Sequence, residues 1–284
     1  MYKPAGLPDQ LAKLNRTAIM GVLNVTPDSF SDGGLYDTTS KAIAHGLELM
    51  EQSTDIIDVG GESTRPGANR VSEDEELSRV IPVIEGLVAQ GACVSIDTMR
   101  AHVAQSAVQA GAILVNDVSG GLADTEMLKV VATLNVPYVM MHWRAHSTEM
   151  NSKSQYTDVV TDVISELRLR IESATVAGIK PDHIVLDPGI GFAKLPEHNW
   201  SLLSNLPKLT ELSFPLLVGA SRKRFLGELL ADNSGPRDVL HRDFSTTAIT
   251  TVLAEQHVWA VRVHNVQAAH DAVSVVQALR GSSE

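Results

Sequence analysis

The stretch GACVSIDTMRAHVAQSAVQAGAILVNDVSGG, residues 91–121, holds two short apolar runs with a helical segment between them. The runs are Cys93–Ile96 and Ile113–Val115, and a polar cluster follows each of them. The segment between them, Ala101–Ala110, has helical period. Short runs rich in Val and Ile indicate strands of a parallel sheet, which crossover helices connect. The stretch therefore predicts a β–α–β unit.

The same alternation extends along the rest of the chain. Six more strand candidates bring the number to about eight, which is the number of strands in a (β/α)8 barrel: Ala18–Leu23, Ile56–Val59, Tyr138–Met141, Ile184–Leu186, Leu216–Val218 and Ala260–Val263. The other helix candidates are Lys41–Glu51, Glu73–Gln90, Thr125–Leu134, Asp158–Ala177, His198–Leu203, Arg222–Leu230, Thr246–Glu255 and Gln267–Leu279. The seventh connection is therefore longer than the others. We predict an α/β protein, a TIM barrel with its active site at the C-terminal ends of the strands.

A doubly wound open sheet is the alternative architecture, because it also alternates strands and helices. Such a sheet would usually carry a glycine-rich dinucleotide-binding turn near its start. Neither GGEST at residues 60–64 nor GGLAD at residues 120–124 has that form. No linker or shift in composition divides the chain. Residues 1–284 are therefore predicted to form one domain, with the ordered barrel over about residues 17–280.

Composition and charge limit the possible classes of function. Apolar residues make up 44% of the chain and charged residues 20%, which is typical of soluble globular proteins. The formal net charge of -11 argues against general affinity for nucleic acid, so an anionic ligand must meet a local basic patch. Cys93 is the only cysteine, which excludes an intrachain disulfide and fits a reducing compartment. With no leader or membrane-spanning stretch in the sequence, we expect a cytoplasmic protein without a membrane partner.

Polar or glycine-rich clusters follow almost every strand candidate, at the ends that would converge on one face of a barrel. Asp97, Asn116 and Asp187 follow the third, fourth and sixth runs. Two carboxylates and an amide in one pocket would accept hydrogen bonds from the N–H edge of a flat heterocycle, such as a 2-amino-pyrimidinone. Each residue could instead cap a helix or turn. The two acids could also form a general acid/base pair or bind a metal.

The segment GASRKRF places Lys223 after the seventh run, facing the acidic residues. A lysine at this position could donate to a carbonyl or ring nitrogen of the ligand, and Ser221 offers a hydroxyl. We expect Arg222 and Arg224 to be solvated surface charges.

The last strand candidate ends with Arg262 and His264, which alternate around Val263. Because side chains alternate along a strand, both should point to the same side, into the mouth of the barrel. Asn24 ends the neighbouring first strand. Two cations beside an amide oxygen predict a corner that binds a diphosphate and Mg²⁺, which commonly keeps phosphate oxygens and waters as ligands.

Two segments rich in Gly, Pro, Ser and Asp, Thr26–Gly34 and Gly60–Gly67, are predicted to be loops over the mouth. Such loops could shield a reactive intermediate from water, and Arg65 is the charge that the second would deliver. They could also be long connections without a catalytic part. The fifth run ends at Met141, and His142 and Trp143 follow it. These three residues either line the pocket wall or belong to the core.

Seven segments resemble the motifs of the dihydropteroate synthases, a family of pterin-binding enzymes, and stand in the family's order from about Ile19 to Val266. They are GVLNVTPDSFSDGG from Gly21, DIIDVGGESTRPG from Asp55, SIDT from Ser95, NDVSGG from Asn116, LDPGIGFAK from Leu186, LVGASRKRFLG from Leu217 and RVHNV from Arg262. The resemblance implies a barrel, usually a homodimer. It also implies Mg²⁺-assisted condensation of (7,8-dihydropterin-6-yl)methyl diphosphate with p-aminobenzoate, with release of diphosphate.

The resemblance also implies a role for each matching residue. The residues expected to bind pterin are Asp97, Asn116, Val118, Met141, Asp187, Phe192, Gly219 and Lys223. Those expected to bind the diphosphate are Asn24, Thr64, Arg65, Arg262 and His264. Asn24 is also expected to bind the metal. Those expected to bind p-aminobenzoate are Thr64, Arg65, Pro66, Phe192, Ser221 and Lys223. The expected catalytic residues are Asp28, Arg65, Asp97 and Lys223.

Two segments depart from the family pattern. The fifth strand is followed by MHWRAHSTEM, where the family usually has MH, then Met, Arg or Gln, and then Gly. Asn265 stands where the final motif commonly has an acid, and the lost carboxylate could weaken a contact to His264 or Arg262. A methyltetrahydrofolate methyltransferase barrel and a non-catalytic pterin-binding paralogue are alternatives. The SRK and RVH segments favour the synthase over the methyltransferase.

Overall fold

Eight parallel strands form a single sheet that curves into a barrel. The computed structural model describes residues 2–26, 35–62, 70–146 and 153–281, with the backbone alone for residues 35–37. The strands are β1 (Ala18–Asn24), β2 (Ile56–Gly60), β3 (Val94–Asp97), β4 (Leu114–Asp117), β5 (Tyr138–Met141), β6 (Ile184–Asp187), β7 (Leu217–Val218) and β8 (Ala260–Val263). Their order is β6-β5-β4-β3-β2-β1-β8-β7, and a parallel bridge between Leu186 and Leu216 joins β6 to β7. The predicted (β/α)8 barrel is confirmed.

Helices follow the strands as the alternation predicts. They are α1 (Asp9–Ala12), α2 (Leu35–Glu51), α3 (Glu73–Ala89), α4 (Ala101–Gln109), α5 (Met127–Leu134), α6 (Val159–Val176), α7 (Pro196–Ser204), α8 (Leu206–Thr210), α9 (Arg224–Leu229), α10 (Asp243–Glu255) and α11 (Val266–Gly281). The short helices α1 and α8 were not predicted. Helix α9 begins two residues later than predicted, because Arg222 has a left-handed backbone with φ of 57°. Of the helices in the described ranges, none has the length and apolarity needed to cross a bilayer.

The strands separate two apolar regions. Side chains that point outwards pack beneath the helices in the larger cluster, which includes Leu23, Ile57 and Ile96. Side chains that point inwards fill the lower half of the barrel, and Leu11 of α1 packs against this inner cluster. The inner cluster includes Met20, Ile56, Leu114, Val139, Val185 and Leu217. The helix that precedes β1 therefore closes one end of the barrel and leaves the other end for the site.

The strand register brings the polar residues of neighbouring strands together. Asn24 pairs with Gly60, Gly60 with Asp97, and Asp97 with Asn116. Met141 of β5 pairs with Asp187 of β6. Because successive side chains alternate between the two faces of a strand, residues two apart share the inner face. One inner row is therefore apolar near α1, and the row at the C-terminal ends of the strands is polar.

Candidate active site

A hydrogen-bonded network of charged side chains forms the floor of the barrel mouth. The Arg262 guanidinium donates from Nε to Asp58 Oδ2 over 2.5 Å and from Nη2 to Asp97 Oδ2 over 2.6 Å. Asn116 Nδ2 donates to the same Asp58 oxygen over 2.9 Å. Asp58 has no exposed surface, and Asp97 and Asn116 are also buried. One arginine from β8 therefore connects carboxylates of β2 and β3.

The Asp58 carboxylate also determines which way the Asn116 amide faces. An ionised carboxylate only accepts hydrogen bonds, so the amide atom that faces Asp58 must be the nitrogen. The Asn116 carbonyl oxygen consequently remains available as an acceptor. The sequence places Asn116 at the strand end, and the structure supplies the partner that orients it.

The loop after β6 brings Asp187, Phe192 and Lys223 together. The Gly189 amide donates to Asp187 Oδ1 over 2.7 Å, and Gly189 has a φ of 68° that favours glycine. Lys223 Nζ lies 4.0 Å from the centre of the Phe192 ring, a cation–π contact. A Cβ on Gly191 would lie 2.8 Å from Lys223 Cδ, so a side chain at this position would displace the lysine. This loop therefore positions both the Asp187 carboxylate and the Lys223 ammonium group.

An apolar wall stands beside these polar groups. Val118 and Met141 are buried in a small cluster with Met99, and Trp143 and Phe192 pack against this cluster. A flat ring could lie against such a wall while its polar edge meets the acceptors. Val118, Met141 and Phe192 are therefore brought to the mouth together, as predicted.

Three of the predicted diphosphate residues, Asn24, Arg262 and His264, also lie at this end of the barrel. A Cβ on Gly60 would lie 3.7 Å from Asp97 Oδ2 and 3.8 Å from Asn24 Oδ1, so Gly60 separates these two groups. Ser221 Oγ lies 3.0 Å from His264 Nδ1, and the His264 amide donates to the same hydroxyl over 3.2 Å. Gly219 adjoins Arg262, since a Cβ on it would lie 3.7 Å from the Arg262 Cβ. The mouth thus gathers amide, imidazole and guanidinium groups.

Four predicted site residues, Asp28, Thr64, Arg65 and Pro66, lie outside the described residues. The chain on either side of residues 63–69 is described. Glu62 accepts from Arg70 Nε over 3.0 Å and from the Val71 amide over 3.3 Å, and Arg100 donates to Glu62 over 2.9 Å. Arg100 also pairs with buried Glu76. The two ends of this segment are therefore joined at one carboxylate.

The structure corrects the prediction for Arg222 and places His142 and Asn265. Arg222 is not a solvated surface charge, because it forms two hydrogen bonds of 2.7 and 2.8 Å with Asp243. His142 lies behind the pocket wall, with 2% of its surface exposed. Asn265 donates to Asp243 Oδ2 over 3.2 Å and accepts from the Ala268 amide, which caps α11. Arg224 is exposed, as predicted, and pairs with Glu228.

Burial changes the acid–base properties of the pocket. It raises the pKa of Asp97 to about 7, although the Arg262 charge opposes this, and it raises the pKa of Asp187 to about 6. Burial and the Arg262 charge lower the pKa of Lys223 to about 8. For Arg262, burial acts to lower the pKa, but the charges of Asp58 and Asp97 outweigh it and raise the pKa. Such perturbed groups are characteristic of functional sites.

Binding of the pterin that the motifs imply is expected to weaken as the pH falls through the range from about 7 to about 6. Asp97 and Asp187 become protonated over this range, and a protonated carboxyl presents an O–H in place of an acceptor. At pH values below the pKa of each carboxylate that binding requires, the loss should approach about tenfold per pH unit. Fluorescence titrations with a pterin between pH 5 and 9 would measure it. Asp187→Asn should bind more weakly at pH 8 and show a shallower pH dependence, whereas an equally steep dependence would contradict this assignment.

Asp58 and Lys194 carry contacts that the sequence interpretation did not assign. Asp58 lies inside the apolar run Ile56–Val59, which predicts a strand but does not by itself separate the two faces of that strand. Asp58 lies two residues before Gly60, so its side chain points to the inside of the barrel, and the sequence spacing could have indicated this. Lys194 is in the quoted segment LDPGIGFAK, but its side-chain partner His142 belongs to a different loop, so the sequence carried no signal for this contact.

Comparison with known proteins identifies the family of the chain. The family model of the pterin-binding enzymes matches residues 20–264. The chain therefore belongs to the family of pterin-binding enzymes.

Several dihydropteroate synthases are similar to this chain. The dihydropteroate synthase of Mycobacterium leprae is 50% identical over 92% of this chain and 92% of that protein. A structure of the Xanthomonas albilineans enzyme with 4-aminobenzoic acid has a TM-score of 0.86 at 45% identity, and covers 94% of both chains. Another structure of that enzyme, in complex with 7,8-dihydropteroate, has a TM-score of 0.83 at 43% identity and covers 94% of both chains.

Proposed function

We propose that this chain is a dihydropteroate synthase of folate biosynthesis. It condenses (7,8-dihydropterin-6-yl)methyl diphosphate with p-aminobenzoate and releases 7,8-dihydropteroate and diphosphate. The observation that carries the proposal is the combination of Asp97, Asn116 and Asp187 beside an apolar wall, with Arg262 across the mouth. The relatives of the preceding section support it, since two of their structures hold p-aminobenzoate and the product.

In this proposal the pterin ring lies against Met141 and Phe192, and its N–H edge donates to acceptors on neighbouring strands. The Asn116 carbonyl oxygen accepts because its amide nitrogen is committed to Asp58. Asp187 accepts through one carboxylate oxygen, while its Oδ1 accepts from the Gly189 amide. Lys223 donates to an acceptor on the ring. These contacts fix the ring and direct its methylene group towards Arg262 and His264.

The reaction breaks the bond between the pterin methylene carbon and the diphosphate oxygen, and the bonding electrons leave with the diphosphate. Arg262 and His264 offset the negative charge that grows on this leaving group. The methylene carbon becomes positive, and the buried Asp97 carboxylate stabilises it through space. The p-aminobenzoate nitrogen then bonds to this carbon and releases its proton to solvent. Ser221 and Phe192, with Lys223, contact p-aminobenzoate in this arrangement.

Asn24 would hold Mg²⁺ together with the diphosphate oxygens. Asn24 is partly exposed at the mouth, and Gly60 beside it lacks a side chain that would fill the space near Oδ1. Within the described ranges there is no group of three His, Cys, Asp or Glu residues that could hold a metal. A metal here would therefore depend mainly on substrate oxygens and water, which suits Mg²⁺. When bound, Mg²⁺ would supply positive charge to the leaving diphosphate.

Purified protein incubated with both substrates and Mg²⁺ is expected to form dihydropteroate, and removal of Mg²⁺ by chelation should abolish most of the product. Asn24→Ala should raise the Mg²⁺ concentration needed for half-maximal rate, since it removes an oxygen ligand. Chromatography of the product measures both effects. Pterin binding without turnover would show that the protein is a non-catalytic paralogue. Tight binding of methyltetrahydrofolate without turnover of the pterin diphosphate would favour the methyltransferase.

We also propose that the protein is a cytoplasmic homodimer. Large apolar side chains are exposed near and along α10 and α11, including Phe244 at 87%, Leu240 at 66% and Leu279 at 59%. Exposed apolar surface of this kind marks protein interfaces, and a second copy of the chain would cover it. Phe244→Glu is expected to shift the protein from dimer to monomer in sedimentation velocity. A monomeric wild type, or an unchanged dimer in the variant, would contradict this arrangement.

A further inference from the structure

Three polar side chains form a chain behind the pocket wall, outside the site described above. Lys194 Nζ lies 3.0 Å from His142 Nδ1, and His142 Nε2 lies 2.9 Å from Glu166 Oε2. Arg144 pairs with Glu166 and stacks 3.8 Å from the Tyr156 ring. The contacts join the loop after β6 to the loop after β5 and to α6.

The direction of each hydrogen bond follows from the chemistry of these groups. Although burial opposes it, hydrogen bonds from His142 and Arg144 lower the pKa of Glu166 to about 2, so Glu166 is an acceptor. His142 Nε2 must therefore carry the proton. Burial and the Lys194 charge lower the pKa of His142 to about 4, so the ring is neutral and its Nδ1 is an acceptor. Lys194 donates to His142, and His142 donates to Glu166.

Lys194 also contacts the turn that presents Asp187 and Phe192. Its Nζ donates to the Phe192 carbonyl oxygen over 3.1 Å. The Phe192 amide donates to the Gly189 carbonyl oxygen over 3.0 Å, and the Gly189 amide donates to Asp187. A Cβ on Gly189 would lie 3.3 Å from Lys194 Nζ, so the ammonium group packs directly on this turn. An unbroken series of contacts thus runs from Glu166 to the Asp187 carboxylate.

We propose that Lys194, held by His142 and Glu166, is a positioning residue of the pterin pocket that fixes the turn presenting Asp187 and Phe192. The inference rests on the proposed function for its ligand, a reduced pterin. Lys194 acts through the backbone of residues 187–192 and through His142. Because the site tolerates little displacement of its acceptors, loss of the Lys194 contacts should weaken pterin binding even when the fold survives.

The test compares Lys194→Met with Glu166→Gln and with the control Lys129→Met. Lys129 is an exposed lysine of α5, with 69% of its side chain accessible, and it pairs only with Glu126 among its described contacts. The dissociation constant of the pterin diphosphate substrate is measured by calorimetry in the absence of p-aminobenzoate. Steady-state kcat and KM, and the thermal unfolding temperature, are measured for the same proteins.

Lys194→Met is expected to raise the pterin dissociation constant and KM at least about tenfold, with kcat changed less than about threefold. Glu166→Gln should give a smaller change in the same direction, and Lys129→Met should match the wild type. A folded Lys194→Met with wild-type pterin affinity would overturn the proposal, as would lost kcat at unchanged KM. If Lys194→Met does not fold, an unchanged affinity in Glu166→Gln overturns it. A wild type that binds pterin without forming product would refute the synthase, while the binding comparison would still decide the role of Lys194.

Discussion

Replacing Asp97 with asparagine is expected to lower kcat/KM for dihydropteroate formation about 100- to 1,000-fold while the barrel remains folded. The Asp97 carboxylate faces Arg262 at 2.6 Å in a buried site, where a charge acts more strongly than in water. Asparagine keeps the shape of the side chain and removes the charge that stabilises the positive methylene carbon. Steady-state kinetics with both substrates, and circular dichroism for the fold, are the measurements.

Asp182→Asn is a suitable control, because Asp182 is an exposed carboxylate just before β6, at the opposite end of the barrel. It should retain wild-type kinetics. Wild-type kcat/KM in Asp97→Asn would refute the electrostatic role given to Asp97. A loss confined to the unfolding temperature would make Asp97 a structural residue.

Replacing Arg262 with methionine is expected to abolish measurable turnover and to lower the free energy of unfolding by about 3–5 kcal/mol. Arg262 is the cation that pairs with both Asp58 and Asp97, and Asp58 is completely buried. Without the guanidinium, two carboxylates face each other in the barrel floor with no opposite charge between them. Urea unfolding at pH 7.5 measures the stability, and product formation measures the activity.

The double variant Arg262→Met with Asp58→Asn separates the two effects. Because it removes one of the two carboxylates, it should recover part of the lost stability but none of the lost activity. Unfolding of Arg262→Met at the wild-type urea concentration would show that the ion pairs of the floor contribute little. Full activity in either variant would remove Arg262 from the binding of the leaving group.

The barrel could be predicted because about eight short apolar runs alternate with helical segments, and much of its site because polar residues directly follow those runs. The position of Asp97, Asn116 and Asp187 at strand ends was visible in the sequence, and the register then aligned Asp97 with Asn116. Arg222 could not be predicted, because its partner Asp243 is 21 residues away on α10. Lys194 escaped assignment for the same reason, since its partner His142 belongs to another loop.

Other predictions from the sequence stay predictions. The roles of Asp28, Thr64, Arg65 and Pro66 concern residues outside the described ranges, and the single-domain organisation of residues 1–284 is also a prediction. Mg²⁺ binding and dimer formation are proposals. The polar residues at the strand ends predicted a site for a flat heterocycle and a diphosphate, and the family resemblance named the two substrates.

The junction of β6 and β7 has a consequence for how the barrel moves. These strands meet through a single bridge between Leu186 and Leu216, and β7 has only two residues. Asp187 directly follows Leu186 on one side of this junction, and Lys223 follows β7 on the other. A pterin that contacts both residues would hold the β6 side and the β7 side of the junction together. Backbone amides at the junction should therefore exchange with deuterium readily in the free protein and become protected once the ligand is bound.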